Sequence, residues 1–299
     1  MQLEIPEIVE VVRGLSPSKT TFMDETKTIR GWIQARRKQT QLNLDLVREP
    51  SPENDIKILL IFLRDLLVRA MRGEAGERTF RALEYTIKDK SCLTRNNYEV
   101  ALSNARYRWG IKSGVEVISD VVEYFARTSL WNWESYLEKA TAEAENNFSS
   151  DPLLRIKNIG FKVRDLALTN FTPRYAAFDL HVARVPTRIG LLNWGFDLLI
   201  DPRLEMGSNP NNLKNYLFLQ KLFLRLSTLS NKKYSPADLD CLFWHHGRAI
   251  CGAKPKCHIC PISAVCLTGR AISLHPGRLR NRLDTSAGPL LDTGPSGIL

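Results

Sequence analysis

Four of the chain's six cysteines fall within sixteen residues, at Cys251, Cys257, Cys260 and Cys266, in the stretch CGAKPKCHICPISAVC. Four thiolates in one short loop suit either a tetrahedral zinc or a [4Fe–4S] cluster. Zinc sites usually pair two short Cys-x2-4-Cys knuckles across a longer gap. The spacing here is Cys-x5-Cys-x2-Cys-x5-Cys, with one such knuckle, so ligand chemistry alone leaves both metals open. The first fifteen residues, MQLEIPEIVEVVRGL, carry acids where a secretory leader carries bases. The best apolar run, residues 56–68, is interrupted by Arg64-Asp65, too soon for a membrane span. The expectation is therefore a cytoplasmic chain, associated with the nucleoid if prokaryotic, where thiols stay reduced and clustered cysteines serve as metal ligands. Cys92 and Cys241 lie outside the loop and read as buried thiols.

Charge points to the partner. The 299 residues carry a formal net charge of +10 and a pI near 9.4, which favours an anionic partner, nucleic acid first. A second stretch suits such a partner. Residues 153–170 read LLRIKNIGFKVRDLALTN. Two short helices joined by a tight hairpin need residues that accept unusual backbone angles. Gly160 accepts them freely, and Asn158 tolerates the left-handed region. A hairpin that opens a helix aims backbone N–H groups outward, where a phosphate can be bound. Arg155, Lys157 and Arg164 add positive charge around it.

Together these stretches resemble the endonuclease III family of helix-hairpin-helix DNA glycosylases. WHHGRAICGAKPKCHICPISAVC is similar to the family's C-terminal cluster loop, which follows a helix ending His-Gly-Arg, here His246-Gly247-Arg248. The family spacing is Cys-x6-Cys-x2-Cys-x5-Cys, so the first gap here is one residue short. The segment 156–162, IKNIGFK, resembles the family's Leu-Pro-Gly-Val-Gly-Arg-Lys hairpin, with Asn158 in place of its first glycine and Lys162 at the catalytic lysine. Seventeen residues on, Asp179 in FDLHV stands where the family's Val-Asp-Thr-His segment keeps a catalytic aspartate. An aromatic residue before the lysine, Phe161, also resembles archaeal-type 8-oxoguanine glycosylases, a branch that usually lacks the cluster.

The resemblance spans roughly residues 55–266, and it implies a function and a set of roles. The function is that of a DNA repair glycosylase/AP lyase acting on double-stranded DNA with a damaged or mismatched base. Lys162 forms a Schiff base, and Asp179 stabilises the oxocarbenium. Cys251, Cys257, Cys260 and Cys266 hold a [4Fe–4S] cluster. Lys157, Asn158, Ile159, Gly160, Arg164, Lys254 and Lys256 bind the DNA backbone. A monofunctional glycosylase of the same fold is the alternative; a non-catalytic zinc or iron–sulfur DNA-binding protein is a third reading. Asp65 lies near the position of the catalytic glutamate in related adenine glycosylases, yet reads as an ion-pair partner for Arg64 or Arg69.

The elements that must position these residues are mostly helical. Residues 55–71 are apolar nearly all round, the mark of a central buried helix, with Ser51, Pro52 and Asn54 as start signals. Residues 112–127 place Val115, Ile118, Val121, Val122 and Phe125 on one stripe. Residues 212–229 form another helix. Ser235-Pro236-Ala237-Asp238 starts the one that leads to His245-His246-Gly247. No run of alternating strands is found. The pattern is that of an all-α chain, and the resemblance implies the two-lobed helix-hairpin-helix glycosylase fold: a helical barrel over residues 55–177, and a cluster domain from residues 1–54 and 178–270. Residues 271–299 are expected to form a disordered tail, low in complexity over 284–299. Boundary loops fall at 49–54 and 201–212. A single chain acting as a monomer is expected, with no membrane partner.

Overall fold

A computed structural model describes residues 7–68, 73–146, 150–191 and 213–274. Regular structure begins with α1 (Ile8–Leu15), whose Ile8, Val11, Val12 and Leu15 recur at helical spacing and are all buried. A hairpin follows, β1 (Lys19–Phe22) against β2 (Glu25–Thr28), antiparallel with Lys19 opposite Thr28 and Phe22 opposite Glu25. Sequence pattern gave no sign of this pair. KTTF and ETKT lack apolar alternation, and the turn residues Met23 and Asp24 take left-handed φ values of 48° and 65° without the glycine that usually marks such turns.

Thr28 caps α2 (Ile29–Arg48), accepting from the Gly31 N–H at 3.1 Å. Ser51 caps α3 (Pro52–Leu66), accepting from the Asn54 N–H at 3.1 Å. α3 is buried on almost every side, but ends at Leu66 rather than 71; residues 69–72, Arg69 among them, lie outside the described residues. Next come α4 (Gly73–Thr86), α5 (Arg95–Asn104) and α6 (Ile111–Glu123). α6 stops short of 127 because residues 124–128 widen into one π turn. α7 (Trp133–Asn146) and a 3-10 turn at Pro152–Arg155 lead to the hairpin and α8 (Phe161–Leu168). α9 (Leu180–Ile189), α10 (Leu213–Leu229), α11 (Pro236–Ala249) and α12 (Leu267–Leu274) complete the order. α11 starts with a full capping box between Ser235 and Asp238.

The expected tail begins too early. Residues 271–274 are the last turn of α12, which packs on α9; residues 275–299 and the expected loop 201–212 lie outside the described residues.

Two groups of helices share one contiguous core. In the first, α8 packs on α3, and an aromatic stack fills the space beneath the hairpin. Phe62 lies flat on Phe171 at 5.0 Å and on Trp133 at 5.5 Å. Burying each such ring stabilises by roughly 1.5–3 kcal/mol. In the second group, α9 and α2 flank α11. The N-terminal segment is tied there by its own side chains. Thr20 meets the His245 ring at 3.2 Å, Trp32 stacks on that ring at 4.9 Å, and Arg37 grips Asp238 with two bonds at 2.8 and 2.9 Å. Gly247 permits the close crossing of α11 over α9, since a Cβ there would stand 2.9 Å from the His181 carbonyl. The described residues are thus all-α in class, apart from the small hairpin. No helix among them is long and apolar enough to cross a membrane.

Candidate active site and cysteine pocket

The hairpin at 156–160 turns on a single residue. Asn158 has φ 76°, while Gly160 is extended at φ −101° and ψ 174°. The expectation that Gly160 supplies the unusual angle is therefore corrected: Asn158 supplies it, and Gly160 contributes an open face, with no atom within 4 Å of where its Cβ would stand. The Asn158 amide donates to the Ser113 hydroxyl at 3.2 Å, joining the hairpin to the start of α6. The Ile159 N–H closes the turn onto the Ile156 carbonyl at 3.1 Å, and its side chain is buried. Ile159 thus corrects a second expectation: its amide and side chain face the protein, not a phosphate. Arg155, Lys157 and Asn158 are exposed. No side chain caps the start of α8 beside them.

Arg164 corrects a third expectation. It is fully buried, where no phosphate can reach it. Its guanidinium pairs with Asp165 through Nε and lies 3.3 Å from Asp151 through Nη1. It also sits 5.1 Å over the Tyr175 ring. Asp151 accepts from the Leu153 N–H at 2.8 Å and from the Tyr136 hydroxyl at 3.0 Å. Burial pushes the Asp165 carboxyl up to about 7, and Arg164 opposes that shift. This ionic core lies under the hairpin and ties the 3-10 turn, α7 and α8 together.

Lys162 is half-buried in the first turn of α8. Asp179 is half-buried at the N-cap of α9, where Oδ1 accepts from the N–H groups of His181 at 2.8 Å and Val182 at 2.9 Å. Among the described residues no hydrogen bond or ion pair joins Lys162 to Asp179, or ties either to a third side chain. Their neighbours meet on Tyr216 of α10. Its ring stacks on Phe161 at 5.2 Å and meets Phe178 edge-on at 5.1 Å. Asp65 has the partner read from sequence: it pairs with Arg64 at 2.9 Å and also accepts from Asn170.

All four loop cysteines line one small pocket. Arg188, His246, Lys256 and Ile262 line it too. Cys251 lies 3.7 Å from Arg188 Nη1, and Cys260 lies 3.8 Å from His246 Nε2. Cys266 donates to the Arg188 carbonyl at 3.3 Å. Burial, aided by the other thiols, pushes Cys257 and Cys260 up; Cys266 rises to about 12. Burial holds His246 down at about 4, so its imidazole is neutral. Among the described residues no three His, Cys, Asp or Glu side chains converge on the position of a single metal ion. Lys254 and Lys256 are exposed on this loop, and the Lys256 ammonium donates to the Ala249 carbonyl at 3.3 Å. Of the two outside cysteines, Cys241 is buried and Cys92 only half-buried, tucked against the core edge.

Sequence reading passed over Tyr216, Arg188 and Ser113. Tyr216 sits inside an apolar helical pattern and carries no motif. Arg188 falls nine residues after Asp179, at the last turn of the same helix; that spacing could have signalled it. No protein-family model matches the chain, and no curated protein matches it.

Proposed function

We propose that this protein is a two-lobed helix-hairpin-helix DNA glycosylase with AP lyase activity. The observation that carries the reading is the hairpin. A left-handed Asn158 and an open Gly160 feed straight into a helix whose first turn bears Lys162. The uncapped helix start with exposed Arg155 and Lys157 beside it forms a backbone-phosphate grip, which positions a duplex without reading its sequence. The target nucleotide must leave the stack, at a cost of a few kcal/mol that damage or mismatch reduces.

Lys162 in its neutral form attacks C1′ of the extruded nucleotide. The C1′–N bond to the base breaks, and the base departs with the bonding pair and takes up a proton. The lysine nitrogen, having lost a proton, then shares its lone pair with C1′ as the C1′–O4′ bond of the sugar ring opens and O4′ takes up a proton. That leaves a protonated Schiff base. Loss of a C2′ proton then lets the 3′ C–O bond break by β-elimination, with the 3′ phosphate departing. The Asp179 carboxylate faces the positive charge that develops on the sugar. Two helix N–H groups already hold Oδ1, so the carboxylate arrives oriented.

Cys251, Cys257, Cys260 and Cys266 would hold a [4Fe–4S] cluster. A single tetrahedral zinc draws its sulfurs to within about 3.8 Å of one another, from Zn–S bonds of about 2.3 Å. The family loop that this spacing resembles holds the larger group, and the four thiols here line one pocket. The cluster would cross-link the loop, and with it the exposed Lys254 and Lys256.

A panel of lesion-bearing duplexes, assayed with and without borohydride, tests the reading. The wild-type chain should release one class of base and become covalently linked to the DNA. Lys162→Gln should abolish linkage and strand cleavage. Release without linkage would favour the monofunctional glycosylase, with Asp179 activating water. Release of no base from any duplex would overturn the reading.

A further inference from the structure

Lys162 and Asp179 sit on different helices with no bond between them, yet a reaction at one carbon needs both within a fraction of an ångström of their places. Tyr216 touches the neighbours of both. Its ring stacks on Phe161, the residue before Lys162, and packs edge-on against Phe178, the residue before Asp179. Its hydroxyl accepts from the Phe178 N–H at 3.3 Å and lies 3.4 Å from the Ala176 carbonyl. Tyr216 is fully buried, so solvent cannot replace these bonds.

We propose that Tyr216 is the positioning residue that sets the Lys162 helix against the Asp179 cap, a role that rests on the glycosylase reading above. The ring spaces the two backbones. The hydroxyl takes the amide just before Asp179, while the ring holds α8 through Phe161. It touches neither the substrate nor the reacting atoms. The Asp179 side chain is pinned to its own helix, so a shift in the Phe178 amide moves the carboxylate with it.

The test is Tyr216→Phe, which keeps the ring and removes the hydroxyl, with Tyr216→Leu as the second variant. Single-turnover base release and affinity for an abasic-site duplex are measured separately, with thermal midpoints alongside. Tyr216→Phe should slow release by roughly 10-fold to 10²-fold, the cost of a small misplacement, and leave affinity within about twofold. Tyr216→Leu should be slower again. Hydrogen exchange at the Phe178 amide should quicken in both. Wild-type release rates in Tyr216→Phe would overturn the proposal. So would equal losses of rate and affinity, or a variant that melts below the assay temperature, since each marks a purely structural residue. A wild-type chain that releases no base removes the glycosylase reading itself, and the positioning role with it.

Discussion

The hairpin and the cysteine loop are both turns that open onto a site, but they are held in opposite ways. Beneath the hairpin, Arg164 lies between Asp151 and Asp165, with the Tyr175 ring against it and the Tyr136 hydroxyl on Asp151. Every contact there is between protein groups. The cysteine loop has one 3-10 turn, Cys257–Ile259, and a few backbone bonds, such as Lys256 N–H to the Ile250 carbonyl at 3.0 Å. Its four cysteines line a pocket, and Ile259 stands 57% exposed. The difference is one of kind: the hairpin rests on a buried ionic core, whereas the cysteine loop has little beyond local backbone bonds around its thiols. A buried ionic core is expensive to break, and a thiolate site that binds a metal draws its stability from that metal.

The comparison is most open to attack at the cysteines. Cys257→Ser should collapse the C-terminal loop while the hairpin persists, because metal binding in structural thiolate sites is worth on the order of 10 kcal/mol. Iron content and hydrogen exchange measure it. Wild-type exchange in the loop of an iron-free Cys257→Ser chain would show that the loop, too, is organised by protein contacts alone. Arg164→Leu comes next. It strands two buried carboxylates and should cost about 3–5 kcal/mol in a denaturant melt; a loss below about 1 kcal/mol would mean the ionic core does not hold the hairpin. The double change Arg164→Leu with Asp165→Leu should recover part of that loss.

A smaller effect separates the lobes by pH. His245, beneath Trp32, is held by burial at about 4 against an ordinary 6.5. The unfolded chain therefore takes up a proton between 6.5 and about 4 that the folded chain refuses. Stability from this group is complete above pH 6.5 and is lost as pH falls toward 4, by at most about 3 kcal/mol. His245→Gln should flatten that limb of a pH–stability profile; an unchanged limb would assign the loss to other groups. The smallest expected effect is at Asn158. Asn158→Ala should cost about 1 kcal/mol for the left-handed turn, and Asn158→Gly should cost less. Equal losses from the two would show that the bond to Ser113, rather than backbone strain, makes Asn158 the residue required there.

Local chemistry was readable along the chain. Ser51 and the Ser235–Asp238 box announced their helices because a cap is a contact between residues three apart. Asn158 was legible as a left-handed turn residue for the same reason. The cysteine spacing placed four thiols on one pocket because sixteen residues cannot stray far from one another. Three further facts depended on residues distant in sequence, and only the tertiary structure decided them. Arg164 looked like a phosphate ligand from its place beside the hairpin, but the face of α8 it occupies turns into the core, where Asp151 and Asp165 meet it. The β1–β2 hairpin has no apolar alternation and is held where Thr20 and Trp32 reach His245, more than two hundred residues away. Tyr216 reads as one more apolar position of α10, and takes on meaning only where α8 and the start of α9 arrive on either side of its ring. Short-range hydrogen bonds and ligand spacing are properties of the chain; burial and the meeting of distant side chains are properties of its packing.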